Sequence, residues 1–317
     1  MQAVFLDYAT MGDGLDLTEL EALFNELVLY DISTDAEIPG RIQDAEFVFT
    51  NKMQLTDELM AAAPQLRYIG LTATGTDNID LDAAKRHNVA VANIRAYCTE
   101  SVVEHVLGVL LMLTHNLHRY DAAVKAGHWQ QADQFCMLTY PIRQLSNMTL
   151  GIIGYGDLGR GVADAARAFG MSVVVAARPG TTEVPAGRVA LEELLATADV
   201  ISLHCPLTEA TRNLIDHDAL ARMRPGAILI NTARGALVDA KALVKALGSD
   251  QIAAAAIDVL HEEPPVNGNP LLDYAGDNLL ITPHIAWGAD QARQNAIDQL
   301  AASAAAFMRG EQHNRVV

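Results

Sequence analysis

Short apolar runs alternate with stretches of helical period along the whole chain. In the first third, Val4–Tyr8, Leu27–Asp31, Phe47–Thr50, Tyr68–Leu71 and Val89–Asn93 predict strands. The patterns at Thr18–Glu26, Thr56–Ala62 and Asp80–His87 predict helices between them. Strands that alternate with helices form a parallel sheet covered on both faces, because each parallel connection must cross over. A longer helix is predicted over Ser101–His115, opened by a capping box of Ser101 and Glu104. Its middle is apolar all round, which predicts burial. Residues 117–147 are more polar and break the rhythm, so they form an excursion from the domain and not a linker.

From Leu150 the rhythm restarts. Strands are predicted at Leu150–Gly154, Ser172–Ala177, Val200–His204, Ala227–Asn231, Ala253–Val259 and Leu279–Thr282. Helices are predicted at Asp157–Phe169, Leu191–Ala196, Asp218–Arg222 and Asp239–Leu247, with a last one over Ala289–Met308. Six strands that begin with a glycine-rich turn predict a doubly wound nucleotide-binding domain.

Composition narrows the function classes. A length of 317 residues predicts two domains, and 50% hydrophobic with 19% charged residues excludes wholesale disorder. Lys and Arg number 22 against 39 Asp and Glu, a net charge of −17. That balance argues against nucleic acid and against an anionic membrane as partners. Cys98, Cys136 and Cys205 are odd in number and lack CxxC spacing. They predict a reducing compartment, no disulfide framework and no metal site. The N-terminus lacks a basic segment followed by an apolar one, and the apolar run Val106–Leu113 is shorter than a membrane span. The expected location is cytoplasmic.

The segment Gly154-Tyr155-Gly156-Asp157-Leu158-Gly159 follows an apolar strand and opens an amphipathic helix. This G-x-G-x-x-G turn suits a dinucleotide. Gly154 permits the tight turn, Gly156 lets the backbone approach a pyrophosphate, and Gly159 lets the helix pack against the strand. An NAD site places Asp or Glu at the end of the next strand, to bind the ribose 2′-hydroxyl. Here that position holds Ala177, and Arg178 follows. An arginine there binds a 2′-phosphate through charge-assisted hydrogen bonds, or stacks on the adenine. The pair favours NADP(H), or use of both NADP(H) and NAD(H).

Three further segments place polar groups just after apolar strands, where doubly wound sheets bind ligands. They contain Arg234, Glu262 with Glu263, and His284. An Arg, a Glu and a His at one sheet edge suit reduction of a 2-oxo acid. Arg binds the substrate carboxylate as a fork, the imidazolium donates a proton to the developing alkoxide, and Glu orients the His. Each residue also has a plainer reading. Arg234 could form a surface ion pair, Glu263 could cap the Pro264-Pro265 turn while Glu262 takes its role, and His284 could be hydrogen-bonded structure.

The motifs Gly154–Gly159, Asn231-Thr232-Ala233-Arg234-Gly235, Ala256–Leu260 with Glu263-Pro264, and Thr282-Pro283-His284 resemble the D-isomer-specific 2-hydroxyacid dehydrogenase family over essentially the whole chain. Within it, Ala73–Asp80, Arg95–Ser101, His204–Thr208 and His284–Gly288 are similar to glycerate dehydrogenases, or hydroxypyruvate reductases. The resemblance implies Arg234, Glu263 and His284 as the catalytic set, since the family's glutamate directly precedes the proline. It implies cofactor contacts from the glycine turn, His204, Cys205, Pro206, Thr232, Ala233, Asp258 and Thr99. It implies substrate contacts from Asn51, Lys52, Ala73, Thr74, Gly75 and Trp287. The acid that relatives of this type carry is absent at Ala177, so an NAD preference does not carry over.

The implied architecture is two doubly wound parallel-sheet domains with a cleft between them. A flavodoxin-like substrate domain takes residues 1–98 plus 286–317, and a Rossmann cofactor domain takes 99–285. The excursion at 117–147 resembles the arm through which such proteins form homodimers. The implied reaction is NAD(P)H-dependent reduction of hydroxypyruvate or glyoxylate to the D-2-hydroxy acid. The alternatives are another 2-oxo acid on the same fold, or an NAD(H)-sensing corepressor-like protein.

Overall fold

A computed structural model describes residues 1–181 and 183–317. The chain divides into two compact units, Met1–Cys98 with Gly288–Val317, and Thr99–Trp287. The return crossing at Trp287/Gly288 lies two residues beyond the expected 285/286.

In the first unit five parallel strands, β1 (Gln2–Phe5), β2 (Glu26–Leu29), β3 (Phe47–Thr50), β4 (Tyr68–Leu71) and β5 (Ala90–Ala92), lie in the order β2-β1-β3-β4-β5. The alternation of side chains sorts the two faces. Val4, Val48, Ile69 and Val91 belong to an aliphatic core shared with Ile38 and Ile42. Phe47 and Phe49 meet Phe24, Tyr68 packs against Phe47 and Phe49, and Phe47 and Tyr68 also meet Phe307 of the Asp290–Met308 helix, with the Tyr68 and Phe307 rings 5.0 Å apart. Each such buried large side chain contributes about 1.5–3 kcal/mol.

One local expectation is corrected here, and one helix is found that the sequence pattern did not predict. The helix predicted over Thr18–Glu26 stops at Glu21, because Glu26 pairs with Gln2 and enters the sheet as β2. The added helix, Ile38–Ile42, contains Pro39 and Gly40 and forms with its proline in the first turn, where no N–H is needed. Ile38 and Ile42, one turn apart, are both buried.

In the second unit six parallel strands, β6 (Thr149–Ile153), β7 (Ser172–Val175), β8 (Val200–Leu203), β9 (Ile228–Asn231), β10 (Ala254–Ile257) and β11 (Leu279–Ile281), lie in the order β11-β10-β9-β8-β6-β7. A single parallel bridge between Ala176 and Val189 continues the sheet past β7. The order reverses between β6 and β8, so a crevice opens beyond their carboxyl ends. Gly154, Ala177 and His204, expected inside strands, stand just past them in the loops that line this crevice.

The long helix runs over Thr99–Thr114 and not from Ser101. The expected capping box does not form. Ser101 sits inside the first turn, and its hydroxyl donates to the Ala286 carbonyl at 2.7 Å. The helix is also not buried all round. Val102, Val106, Val109, Leu110 and Leu113 are buried, whereas Glu104, Gly108 and Met112 form an exposed strip. Residues 117–147 carry a helix at Leu117–Lys125 and then an irregular stretch in which Phe135 is 90% and Leu138 77% exposed. Among the described residues no helix is long and apolar enough to cross a membrane.

Candidate active site

The glycine turn lies at the strand-order reversal. Gly154 has φ +96°, and a Cβ there would lie 2.4 Å from the backbone of His204 and Cys205. The turn after β6 therefore touches the loop after β8, and only glycine permits that approach. A Cβ at Gly156 would meet nothing within 4 Å, so this backbone faces open space. The space is a cavity of about 980 Å³, lined by Tyr155, Gly156, Ala177, Arg178, His204 and Pro206 among others. Arg188, which the sequence reading passed over, lines it too, its guanidinium 4.5 Å from the centre of the Tyr155 ring. It enters through the Ala176–Val189 bridge, a pairing too short to show as a strand pattern.

Several buried polar atoms lack a partner among the described residues, one of them in the cavity lining, one just after β9 and one at the start of the Thr99–Thr114 helix. They include His204 Nδ1, Thr232 Oγ1 and Thr99 Oγ1. Burying a polar group without a hydrogen bond is costly, so such atoms mark where a polar ligand belongs. Together with the open glycine backbone and the cavity, they fit a dinucleotide. The other nitrogen of His204 sits 2.9 Å from Ser202 Oγ, and burial pushes the imidazole down to about 4, so it is neutral at physiological pH. Burial pushes the Cys205 thiol up to about 11, which makes it an inert packed residue.

The catalytic candidates stand after β9, β10 and β11, three adjacent strands. Asn231, fully buried at the end of β9, shapes the first loop. Its Oδ1 accepts from Ala233 N at 3.0 Å and its Nδ2 donates to the Arg234 carbonyl at 2.9 Å. Arg234 Nη1 donates to the Ala233 carbonyl at 2.7 Å. At Gly235 a Cβ would lie 2.0 Å from the Leu260 carbonyl carbon, so this loop is pressed against the one that carries Glu263. Glu263 Oε1 accepts from Leu260 N at 2.7 Å, and Glu263 Oε2 lies 2.6 Å from His284 Nδ1. Glu262 is occupied elsewhere, its Oε1 accepting from Asn267 Nδ2 at 2.7 Å.

His284 adopts φ +55°, a conformation that an L residue holds only when its surroundings impose it. Asp258, 2% exposed at the end of β10, supplies that constraint. Its Oδ1 accepts from Thr282 Oγ1 at 2.5 Å and Ile285 N at 2.9 Å, and its Oδ2 accepts from Ala286 N at 2.9 Å. Its backbone carbonyl accepts from His284 N at 2.8 Å. The Asp258 carboxylate is thus engaged by the turn that presents His284. Trp287, partly buried, follows directly.

In the first unit, Asn51 and Lys52 follow β3, and Ala73–Gly75 follow β4. The buried Asp7 carboxylate accepts from Asn51 N at 2.9 Å and Lys52 N at 2.7 Å and so fixes the first loop. Thr74 donates its hydroxyl to the Ile94 carbonyl at 2.9 Å. The backbone N–H groups of Ala73, Thr74 and Gly75 have no acceptor among the described residues. Asp7 escaped the sequence reading because a strand-end aspartate carries no motif.

Residues 107–286 match the family model described as D-isomer specific 2-hydroxyacid dehydrogenase, NAD binding domain. The chain is 41% identical over 317 residues to a glycerate dehydrogenase of Methylorubrum extorquens, covering 99% of this chain and 98% of that protein. It is 36% identical to a hydroxypyruvate reductase of Blautia hydrogenotrophica, covering 100% of this chain and 99% of that one. The solved structure of a D-lactate dehydrogenase from Aquifex aeolicus, complexed with NAD and lactic acid, superposes with a TM-score of 0.81 at 30% identity, covering 98% of this chain and 96% of that chain.

Proposed function

The chain belongs to the D-isomer-specific 2-hydroxyacid dehydrogenase family, and on that footing we propose that it reduces a small 2-oxo acid, hydroxypyruvate or glyoxylate, to the D-2-hydroxy acid with NAD(P)H. The observation that carries the catalytic assignment is the 2.6 Å contact of Glu263 Oε2 with His284 Nδ1. Engaging Nδ1 leaves Nε2 as the nitrogen that exchanges a proton with substrate. A reduced nicotinamide held by the glycine turn and the loops beside it would supply the hydride that the carbonyl carbon takes up. His284 delivers its Nε2 proton to the carbonyl oxygen as that oxygen gains charge, and the Glu263 carboxylate steadies the imidazolium before transfer. Arg234 holds the substrate carboxylate and polarises the adjacent carbonyl through its guanidinium fork. Run backwards, neutral His284 takes the hydroxyl proton.

The glycine turn, His204–Pro206, Thr232, Ala233 and Thr99 are assigned to the dinucleotide, whose 2′-phosphate Arg178 recognises in place of an acid. Asn51, Lys52, Ala73, Thr74, Gly75 and Trp287 are assigned to substrate recognition, the unpaired N–H groups of 73–75 being suited to a carboxylate. A second copy of this chain is the partner assigned to the exposed apolar side chains of residues 117–147.

The test is the oxidation of NADH and of NADPH, followed by absorbance, with hydroxypyruvate, glyoxylate and pyruvate, in the wild type and in His284→Ala. Turnover with a small oxo acid, lost by about 10²-fold or more in the variant while cofactor still binds, is the expected result. Wild-type turnover in His284→Ala overturns the proton-donor assignment.

A further inference from the structure

We propose that His105 is a positioning residue for His284, acting through the hydroxyl of Thr282 and the carboxylate of Asp258; this rests on the reading of His284 as proton donor. His105 lies on the Thr99–Thr114 helix, its side chain only 16% exposed. Its Nε2 stands 3.3 Å from Thr282 Oγ1 and 3.9 Å from Asp258 Oδ1.

The direction of the hydrogen bonds follows from counting protons. Thr282 has one hydroxyl hydrogen, and the carboxylate of Asp258, an acceptor only, takes it at 2.5 Å. The contact from His105 to the same oxygen is therefore a donation from Nε2–H. The chain runs His105 Nε2–H to Thr282 Oγ1–H to Asp258 Oδ1. Each donation polarises the next, which strengthens the hold on a carboxylate that is 2% exposed.

That carboxylate organises the catalytic turn. It binds Ile285 N and Ala286 N, and the Asp258 carbonyl binds His284 N. His284 sits between these anchors at φ +55°. One helical turn before His105, Ser101 donates to the Ala286 carbonyl at 2.7 Å. Residues four apart share one face of a helix. One face of the helix thus grips the turn at both ends, Thr282 through His105 and Ala286 through Ser101. An imidazole that must place Nε2 within a few tenths of an ångström gains from such a grip.

The test compares wild type, His105→Ala, His105→Gln and Thr282→Val in three measurements. These are steady-state kinetics with glyoxylate and hydroxypyruvate, cofactor affinity by fluorescence, and hydrogen exchange of the Ile285 and Ala286 amides. The expected result for His105→Ala is a kcat at least tenfold lower, KM and cofactor Kd within about twofold of wild type, and exchange at least tenfold faster. Gln carries an amide N–H where His carries Nε2–H, so His105→Gln recovers most of the kcat. Thr282→Val keeps the shape, removes the relay, and reproduces His105→Ala. If His105→Ala does not fold, Thr282→Val carries the same expectations. A kcat within twofold of wild type, or His105→Gln no better than His105→Ala, overturns the proposal. Absence of wild-type turnover on every oxo acid would instead sink the proposed function, and amide exchange would still decide whether His105 holds the turn.

Discussion

Glu263 and His284, carried on the loops after neighbouring strands β10 and β11, meet at 2.6 Å through Oε2 and Nδ1. The carboxylate is itself held, since its other oxygen accepts from Leu260 N at 2.7 Å. A carboxylate fixed at both oxygens can orient the imidazole and stabilise its charged form. Glu263→Gln keeps the size and the hydrogen-bonding reach but removes the charge. The expected outcome is a kcat lower by about tenfold or more with cofactor Kd unchanged, measured by steady-state kinetics and fluorescence titration. An unchanged kcat would detach Glu263 from catalysis.

Gly235 joins the Arg234 loop to the Glu263 loop. Its missing side chain allows a backbone approach in which a Cβ would come within 2.2 Å of the Leu260 carbonyl oxygen. Backbone on both sides leaves nothing flexible to give way. Gly235→Ala should therefore cost about 1–3 kcal/mol of stability and, by forcing the loops apart, raise the KM for the oxo acid. Thermal melting and kinetics check both parts. A variant with wild-type Tm and KM would show that the loops yield freely.

Arg178 stands next to Ala177, where a carboxylate would otherwise bind a ribose hydroxyl and repel a phosphate. A charge-assisted hydrogen bond contributes about 1.5–3 kcal/mol. Arg178→Ala is thus expected to weaken NADPH by about 10–100-fold while leaving NADH within about twofold, read as Kd by fluorescence. Equal losses for both cofactors would remove the 2′-phosphate from the assignment, and Arg188, which lines the same cavity, would be the next residue to vary.

Much of this architecture was legible because its signals are local. Phe47–Thr50 and Tyr68–Leu71 are strands with the bounds their apolar runs gave, and the glycine turn needed only its own six residues and the strand before it. Elements failed where long-range pairing overrode local pattern. Glu26 reads as the end of a helix until Gln2 pairs with it. Ser101 and Glu104 read as a capping box until the helix starts at Thr99 and Ser101 turns to Ala286. The candidate site divides the same way. Arg234, Glu263 and His284 carry motifs, and the choice of Glu263 over Glu262 came from the proline that follows it. His105, Asp7 and Arg188 carry none, because each acts through a partner distant in sequence that only the folded chain supplies.

His204 gives the chain a pH-dependent stability of known sign. Burial holds its folded-state value at about 4, against 6.5 for a free imidazole. Above pH 6.5 both folded and unfolded forms are neutral and the residue contributes nothing to the difference. As pH falls from 6.5 towards 4, the unfolded chain takes up a proton that the folded chain refuses, so stability falls across that window and levels off below it. At pH 5 the loss amounts to about 1–2 kcal/mol. Carboxylates stabilised in the fold, such as Asp57 beside Arg86 and His87, add their own acid sensitivity at lower pH. The contribution of His204 is therefore read as a difference. His204→Gln, which does not titrate, should lose less Tm than wild type between pH 7 and pH 5. Parallel curves would mean that the imidazole is protonated within the fold, with the Nδ1 now without a partner finding an acceptor.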